Sequence, residues 1–358
     1  MSGRTVVLTP GLEGADGLAT LSRLVTRALA EPAGPSGPAP VRVLSLHDAP
    51  RATRSTSLDV RGAGGSRLGL VLAALREGAR GAGPVHVVCL HLHLGPVALC
   101  LARPGSRLTM VLSGIEAWSP ARRARALALR RSGRLVAISA HTAERFREAN
   151  PWLGRRDIAV CHPGVLEPAA PAPAAVGGPR GFALIVGRMA SAERYKGHDL
   201  LLDVWPRVMA EVPGAGLVVV GDGDDRARLE ARARPLAASI RFTGRVSEAE
   251  LARAYADCAF FVMPSRAEGF GLVYLEAMRA GKACVAGPGA PGELVEDGVT
   301  GLVVDPSEPE GLLKAVLRLF REPATREGMG RAGAVRVARE FTEAHFRRRF
   351  RAALGVPP

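Results

Sequence analysis

Short runs of apolar, largely β-branched residues recur along the chain, separated by longer stretches with helical spacing. Thr5–Thr9, Val41–Leu46, Val85–Leu90, Leu108–Leu112 and Leu135–Ser139 are predicted strands. Between them Gly17–Ala30, Ser66–Arg80 and Ala121–Ser132 carry the spacing and composition of helices. Near-continuous apolar runs suit strands covered on both faces, as in parallel sheets. Their alternation with helices predicts an α/β architecture.

The pattern stops at Pro163–Gly181, a stretch rich in Pro, Ala and Gly with no periodicity, which reads as a linker. It then restarts. Phe182–Val186, Leu217–Val220, Ile240–Thr243, Ala259–Met263, Ala283–Ala286 and Gly301–Val304 are predicted strands. The predicted helices cover Leu200–Met209, Arg226–Arg234, Glu248–Ala256, Leu272–Ala280, Pro309–Arg321 and Glu343–Leu354. The expected organisation is an amino-terminal domain over 1–165, a linker over 166–181 and a second α/β domain over 182–342. A last helix over 343–358 is expected to pack back on the first domain. Two such domains on a hinge predict a cleft between them, a common place for ligands.

The length of 358 residues agrees with two domains, and 47% hydrophobic residues are ample for two cores. No stretch approaches 18 apolar residues, so no membrane span is expected. The start, MSGRTVVLTPGLEG, has too short an apolar run for a secretory signal, and a cytoplasmic protein is expected. Five cysteines, Cys89, Cys100, Cys161, Cys258 and Cys284, lack CxxC spacing and read as reduced thiols in the core.

The net charge of +14 changes the picture less than its size suggests. Only Lys196, Lys282 and Lys314 are lysines, so the excess is arginine, in a chain also rich in Ala, Gly and Pro. Aromatic residues are 4%, too few for the stacking platforms that accompany a nucleic-acid surface. The surplus lies mainly in residues 1–175, with 22 arginines against 11 acidic residues. Within it, Pro120–Arg134 is a basic helical stretch without a single clean stripe.

The densest chemical signal runs from Pro264 to Met278 (PSRAEGFGLVYLEAM). It leaves the carboxyl end of an apolar strand, passes a glycine turn and opens a helix, whose first amides suit a phosphate. Gly269 and Gly271 allow close approach of a ligand to the backbone. Glu268 precedes the helix and Glu276 lies inside it, facing the same region, so the pair is placed to take hydroxyls at the two ends of a sugar nucleotide. The turn Gly221-Asp222-Gly223 lacks the third glycine of a dinucleotide fingerprint, with Arg226 in its place.

This segment resembles the E-x7-E signature of retaining glycosyltransferases of the GT-B fold, specifically glycosyltransferase family four. Val186–Met189 and Glu193–Asp199 resemble that family's "GR" and "KG" stations, and further stations follow at Val219–Gly223, Phe242–Val246 and Gly298–Val303. The resemblance implies two facing Rossmann-like domains with parallel sheets. It also implies that Gly187, Arg188 and Lys196 meet the donor diphosphate, with Glu268 toward the sugar and Glu276 on the ribose. Gly269, Phe270, Gly271 and Leu272 would supply contacts along the donor. A guanidinium fork and a compact ammonium are suited to phosphate oxygens.

In the first domain, Thr9–Gly17 occupies the position of the family's first glycine loop. Gly14 and Gly17 would approach the donor, and Asp16 stands where the family has a second glycine. In Cys89–Pro96, alternation sets His91 and His93 on one face and Leu90 and Leu92 on the other. The family's histidine station is occupied by Ser113, followed by Gly114 and Glu116, so either His91 or His93 supplies the missing contact or the donor or acceptor geometry differs. A serine hydrogen-bonds a hydroxyl but carries no imidazolium charge.

The expected activity is retaining, metal-independent transfer of a sugar from a nucleotide diphosphate, UDP favoured over GDP. The acceptor is a hydroxyl on a glycan, a lipid-linked or a small molecule. Catalytic candidates are Glu268, Lys196, Arg188 and His91, with Asp16, Ser113 and Glu116 on the acceptor side. No cofactor, metal or nucleic acid is expected, and an anionic membrane surface is a candidate partner. A catalytically silent sugar-nucleotide binder and a basic nucleic-acid-binding protein are the alternatives.

Overall fold

The computed structural model describes residues 4–14, 16–30, 41–50, 52–54, 58–80, 83–166 and 181–355. The chain divides into two compact units, Met1–Leu166 with Glu343–Pro358, and Glu167–Thr342. Of the expected linker, 167–180 lies outside the described residues.

The first unit runs β1 (Arg4–Thr9), α1 (Gly17–Ala30), β2 (Val41–Ser45), β3 (Ala52–Arg54), β4 (Leu58–Gly62), α2 (Arg67–Ala79) and β5 (Val85–Cys89). It continues through α3 (Gly95–Leu99), β6 (Arg107–Leu112), α4 (Ala124–Arg131), β7 (Arg134–Ala137), α5 (Ala140–Ala149) and β8 (Ile158–Val160). The strands form one sheet in the order β3-β4-β2-β1-β5-β6-β7-β8. Neighbours are parallel except for the edge pair β3 and β4. Val6 and Leu8 of β1, Val87 and Cys89 of β5 and Leu108, Met110 and Leu112 of β6 point into one buried core with Leu70, Ala74 and Phe146. Ser66, expected inside a helix, instead caps α2, its hydroxyl accepting from the Gly69 amide at 3.0 Å.

The second unit runs β9 (Ala183–Val186), α6 (His198–Glu211), β10 (Leu217–Val220), α7 (Arg226–Ala233), β11 (Ile240–Gly244), α8 (Glu248–Asp257) and β12 (Phe260–Met263). It closes with α9 (Leu272–Arg279), β13 (Cys284–Ala286), α10 (Ala290–Leu294), β14 (Gly301–Val303), α11 (Pro309–Arg321) and α12 (Pro323–Glu340). Its sheet is fully parallel in the order β11-β10-β9-β12-β13-β14. The last helix, α13 (Glu343–Leu354), belongs to the first unit. There Glu343 pairs with Arg27 of α1 at 3.2 Å, and the buried rings of Phe346 and Phe350 stack.

Numbered within its own unit, each sheet carries the strand order 3-2-1-4-5-6 of a doubly wound nucleotide-binding sheet, the first with added edge strands. The order reverses between β1 and β5 in the first unit and between β9 and β12 in the second. At such a switch the loops leaving the two central strands part to opposite faces, and a crevice opens at the carboxyl ends. The expected α/β, Rossmann-like fold is therefore what the chain adopts.

Three differences from the expected elements matter. The strand pattern ends at Cys89, and Leu92–Leu94 is a 3-10 turn capped by His91. The basic helix starts three residues late, at Ala124, because Arg123 has φ +51°. Helices α5 and α12 are not among the expected elements, and α12 has little apolar periodicity to reveal it. All five cysteines are free, and all but Cys100 are buried, which pushes the thiols of Cys89, Cys161 and Cys258 up to about 12. Among the described residues, no helix is long and apolar enough to cross a membrane.

Candidate active site

The second unit builds its crevice from the loops after β9 and β12. The chain leaves β9 through Gly187 and Arg188 and lies against the Gly221–Asp225 turn that follows β10. Met189 N–H donates to the Asp222 carbonyl at 3.0 Å, and the Asp225 amide returns the bond to Met189 at 2.9 Å. A Cβ on Gly221 would stand 2.0 Å from the Gly187 carbonyl, and one on Gly223 2.1 Å from that of Met189. These glycines exist for the close approach of two backbones, not for a dinucleotide.

The next turn, Ser191–Lys196, is a 3-10 helix pinned by two carboxylates. Asp224 accepts from the Ser191 amide and hydroxyl at 2.8 and 2.7 Å, and Asp225 takes a bidentate pair from Arg194 at 3.0 and 2.9 Å. Arg228 also donates to Asp225, and its guanidinium, first of all, holds that carboxyl well below the usual range. Gly197 then takes φ +88°, where a Cβ would meet Pro264 at 2.7 Å. The Arg266 amide donates to the Tyr195 carbonyl at 2.9 Å. The loops after β9 and β12 are thereby locked together, and Lys196 is carried to Glu268.

Four charges meet at this junction. Lys196 Nζ lies 3.4 Å from Glu268 Oε1 and 3.5 Å from Glu193 Oε2, and Arg188 forms an ion pair with Glu193 Oε1. The side chains of Glu193, Lys196 and Glu268 are 12%, 16% and 14% exposed, whereas that of Arg188 is mostly exposed. Burial raises the carboxyl of Glu268, and Lys196 opposes the shift. Glu193 falls inside the "KG" station, yet the resemblance gives it no role. Glu193 stands at a kink in this turn, at φ −118° and ψ 25°, and its carboxylate still lies within ion-pair distance of Lys196 three residues on.

Beyond Glu268, Phe270 is buried and Gly271 takes φ +97°, with space for a Cβ closed off at 2.6 Å by the Tyr274 ring. Leu272 opens α9, which no side chain caps. The Tyr274 hydroxyl donates to the Met263 carbonyl and ties the start of α9 to the end of β12. Glu276 lies one turn into α9. Its carboxylate accepts from the Tyr255 hydroxyl of α8 at 2.9 Å, so the two glutamates are held by separate partners. Burial raises Glu276 as well.

The first unit places Gly14 and Asp16 on the loop after β1 and Gly17 at the start of α1. Two residues with no motif signal shape that loop. Buried Asp48 accepts from the amides of Leu12 and Glu13 at 2.9 Å each, and Arg23 donates to the carbonyls of Leu12 and Gly14 at 2.9 and 2.7 Å. Asp16 does not project outward alone: its carboxylate caps α1 through the Ala19 amide at 2.8 Å. At the ends of β5 and β6, His91, Ser113 and Glu116 come together. Glu116 Oε1 accepts from the Ser113 amide and hydroxyl at 3.0 and 2.8 Å. His91 Nδ1 accepts from the His93 amide at 3.2 Å, so the neutral ring carries its proton on Nε2. Burial lowers the His91 pKa, while the charge of Glu116 opposes. The two histidine rings touch edge to face instead of lining one strand face. Among the described residues, no group of three or more His, Cys, Asp or Glu is placed to hold a metal ion.

Residues 181–322 match the family model "Glycosyl transferases group 1". The GDP-mannose-dependent monoacylated alpha-(1-6)-phosphatidylinositol monomannoside mannosyltransferase of Corynebacterium glutamicum is 34% identical over 156 residues, 41% of this chain and 40% of that protein. Sulfoquinovosyl transferase of Arabidopsis thaliana is 37% identical over 151 residues, 41% of this chain and 28% of that protein. The match thus spans less than half the length of either relative. Among solved structures, sucrose-phosphate synthase from Thermosynechococcus elongatus aligns over 98% of both chains, with TM-score 0.77 and 20% identity. Anabaena HepE in complex with UDP and glucose aligns over 99% of both, with TM-score 0.74 and 17% identity. The chain has the two-unit fold of these GT-B structures, and residues 181–322 of its second unit are similar to group 1 glycosyltransferases.

Proposed function

We propose that the chain transfers a sugar from a nucleoside diphosphate to a hydroxyl acceptor with retention of anomeric configuration. One observation carries the reading. The switch-point loops of the second unit bring Arg188, Lys196, Glu268 and the uncapped start of α9 to one crevice edge. As the bond between the anomeric carbon and the diphosphate oxygen breaks, negative charge grows on that oxygen. Fixed cations and helix amides stabilise this developing charge more than the ground state, which is how such a site accelerates transfer. The same groups neutralise the leaving group without a divalent ion. For retention, the acceptor hydroxyl attacks from the face the diphosphate leaves, and the departing oxygen takes its proton. Glu268 is assigned to hydroxyls of the donor sugar, and His91 Nε2–H with Glu116 to the acceptor side.

The donor base is left to the test. Relatives named for GDP-mannose share 34–38% identity over 149–156 residues of this chain, whereas the UDP-bound HepE structures share 17–18% over 98–99% of it. That balance weakens the sequence preference for UDP. A thermal-shift and calorimetric screen of UDP, GDP, UDP-glucose and GDP-mannose tests the reading, because a ligand of the native state raises apparent stability. Binding of one nucleotide series, abolished by Lys196→Ala, is expected, with turnover unchanged by EDTA. Proton NMR of the released or transferred sugar should first show the anomer of the donor. Binding of neither series overturns the proposal.

An anionic membrane surface is the partner this reading adds. What supports it is a face of α2 on which Leu68, Leu72 and Leu75 are all exposed, flanked by exposed Arg67, Arg76 and Arg80. Residues spaced by four and three form one apolar stripe, and basic flanks complement anionic headgroups. The basic stretch Pro120–Arg134 presents a lone exposed Leu127 and is the weaker candidate. Co-sedimentation with phosphatidylglycerol vesicles should be lost in a Leu68→Ser, Leu72→Ser, Leu75→Ser variant. Equal sedimentation with neutral vesicles, or no sedimentation, refutes it.

A further inference from the structure

The four charges of the second crevice sum to zero, Arg188 and Lys196 against Glu193 and Glu268. Both cations assigned to the donor diphosphate are therefore already engaged, and the group that engages both is Glu193. One of its oxygens meets the Arg188 guanidinium. The other is buried, accepts no hydrogen bond and faces Lys196 at 3.5 Å. Glu268 takes the opposite side of the ammonium at 3.4 Å, and its Oε1 is likewise buried without a hydrogen bond. The lysine thus lies between two carboxylates at nearly equal range, too far for a tight bond to either.

The backbone that carries Glu193 is held in place. Its turn is held by Asp224 on Ser191, by Asp225 on Arg194 and by Gly197 against Pro264. Arg228 braces Asp225 further, by bonding Asp199 at 2.8 and 2.7 Å. A diphosphate that takes Arg188 and Lys196 leaves the Glu193 carboxylate close by, mostly buried and stripped of its partners. Burying a charge without a partner is costly, and so is a like charge beside it.

Resting on the donor reading above, we propose that Glu193 is a built-in competitor of the donor diphosphate. It holds Arg188 and Lys196 in the nucleotide-free protein, yields them when the diphosphate binds and reclaims them when the product nucleotide leaves. A site with two cations and a helix start would hold a cleaved nucleoside diphosphate tightly. An anion that lies beside the same cations lowers that affinity and speeds release, so Glu193 tunes turnover without touching the reacting atoms. It is a positioning residue, distinct from Glu268.

The sign of one substitution decides. Glu193→Gln keeps the shape and an oxygen acceptor for Arg188 but removes the charge. Calorimetry with UDP and GDP should show the preferred nucleotide binding about tenfold tighter (~1.4 kcal/mol) than to the native chain. Its dissociation should be correspondingly slower in stopped flow. Glu193→Asp, which keeps the charge but draws it back by one methylene, should fall between. Uridine and guanosine, which lack phosphates, should bind the native chain and both variants alike. If Glu193 merely scaffolds Arg188, Glu193→Gln binds the diphosphate equally or more weakly, and the proposal is overturned. If the native chain binds neither UDP nor GDP, the donor reading itself fails, which is a different result.

Discussion

Replacing Lys196 by Met removes the positive charge between Glu193 and Glu268 while keeping most of the volume. At 3.4 and 3.5 Å, with an effective dielectric of about 20, each lost attraction is roughly 5 kcal/mol before any desolvation is counted. The variant no longer desolvates an ammonium, which offsets much of that. Removing one member of a fully buried pair costs about 3–5 kcal/mol. Exposures of 12–16% allow some screening, so about 2–3 kcal/mol is expected at neutral pH. For a unit of this size that lowers the melting temperature by roughly 5–10 °C. The pH dependence sets this apart from ordinary loss of packing. Burial already raises the Glu268 carboxyl above its ordinary 4.5, and without Lys196 it rises further. A carboxyl with a raised folded pKa binds protons more tightly in the native state, so the native state is favoured at low pH. That advantage disappears as pH climbs from about 4.5 to the folded value. The penalty of Lys196→Met should therefore be small near pH 4.5, grow through the weakly acidic range and level off above it. Thermal unfolding of both proteins from about pH 4.5 to 8, with UDP and GDP added in a parallel series, measures it. A penalty that stays constant with pH, or nucleotide stabilisation that survives the substitution, would refute the reasoning.

Three other perturbations follow from the same geometry. Gly197→Ala puts a Cβ on a residue at φ +88° and 2.7 Å from Pro264, so about 2–4 kcal/mol of destabilisation is expected in denaturant unfolding. A near-neutral result would mean that the lock between the loops after β9 and β12 is loose. His198 is buried, and desolvation lowers its pKa to about 4. Its contribution is present above 6.5 and lost as pH falls toward 4, worth about 3 kcal/mol, and a His198→Phe variant should lose that part of the acid sensitivity. Asp48→Ala strips the acceptor from two loop amides in the first unit and should cost about 1–3 kcal/mol, with hydrogen exchange rising at Leu12 and Glu13 first.

The β-strands at the centre of each sheet were legible because burial on both faces forces unbroken apolar runs, as in Leu217–Val220 and Phe260–Met263. Edge elements had no such constraint. β4 is half-buried at every position and β8 has one buried residue, so neither leaves a pattern that periodicity can find. Cys89–Gly95 misled for a related reason. Leu90, Leu92 and Leu94 are all buried with a spacing of two, which a strand and a tight 3-10 turn at a strand end satisfy equally. The backbone turns there because Gly95 and Pro96 open α3 immediately afterwards.

The candidate site divides along the same line. Residues that would touch a ligand stand at strand ends, beside glycines, and strand ends are where an apolar run stops in the sequence. Glu268 is visible for that reason, and Arg188 through the resemblance of Val186–Met189 to the family's strand-end station. The residues that hold them are distant in sequence and ordinary in type. Asp225 acts on Arg194 from 31 residues away, Asp48 on Leu12 from 36, and Tyr255 on Glu276 from 21. Only the sheet order makes these pairs neighbours, because it sets the turn after β10 beside the loop after β9 and the end of β2 beside the loop after β1. Glu193 is the exception, its partner Lys196 being three residues ahead. It carries no motif of its own and lies ahead of the expected helix over Leu200–Met209. On the kinked turn held by Asp224 and Asp225, a spacing of three puts a carboxylate against the cations a phosphate would need.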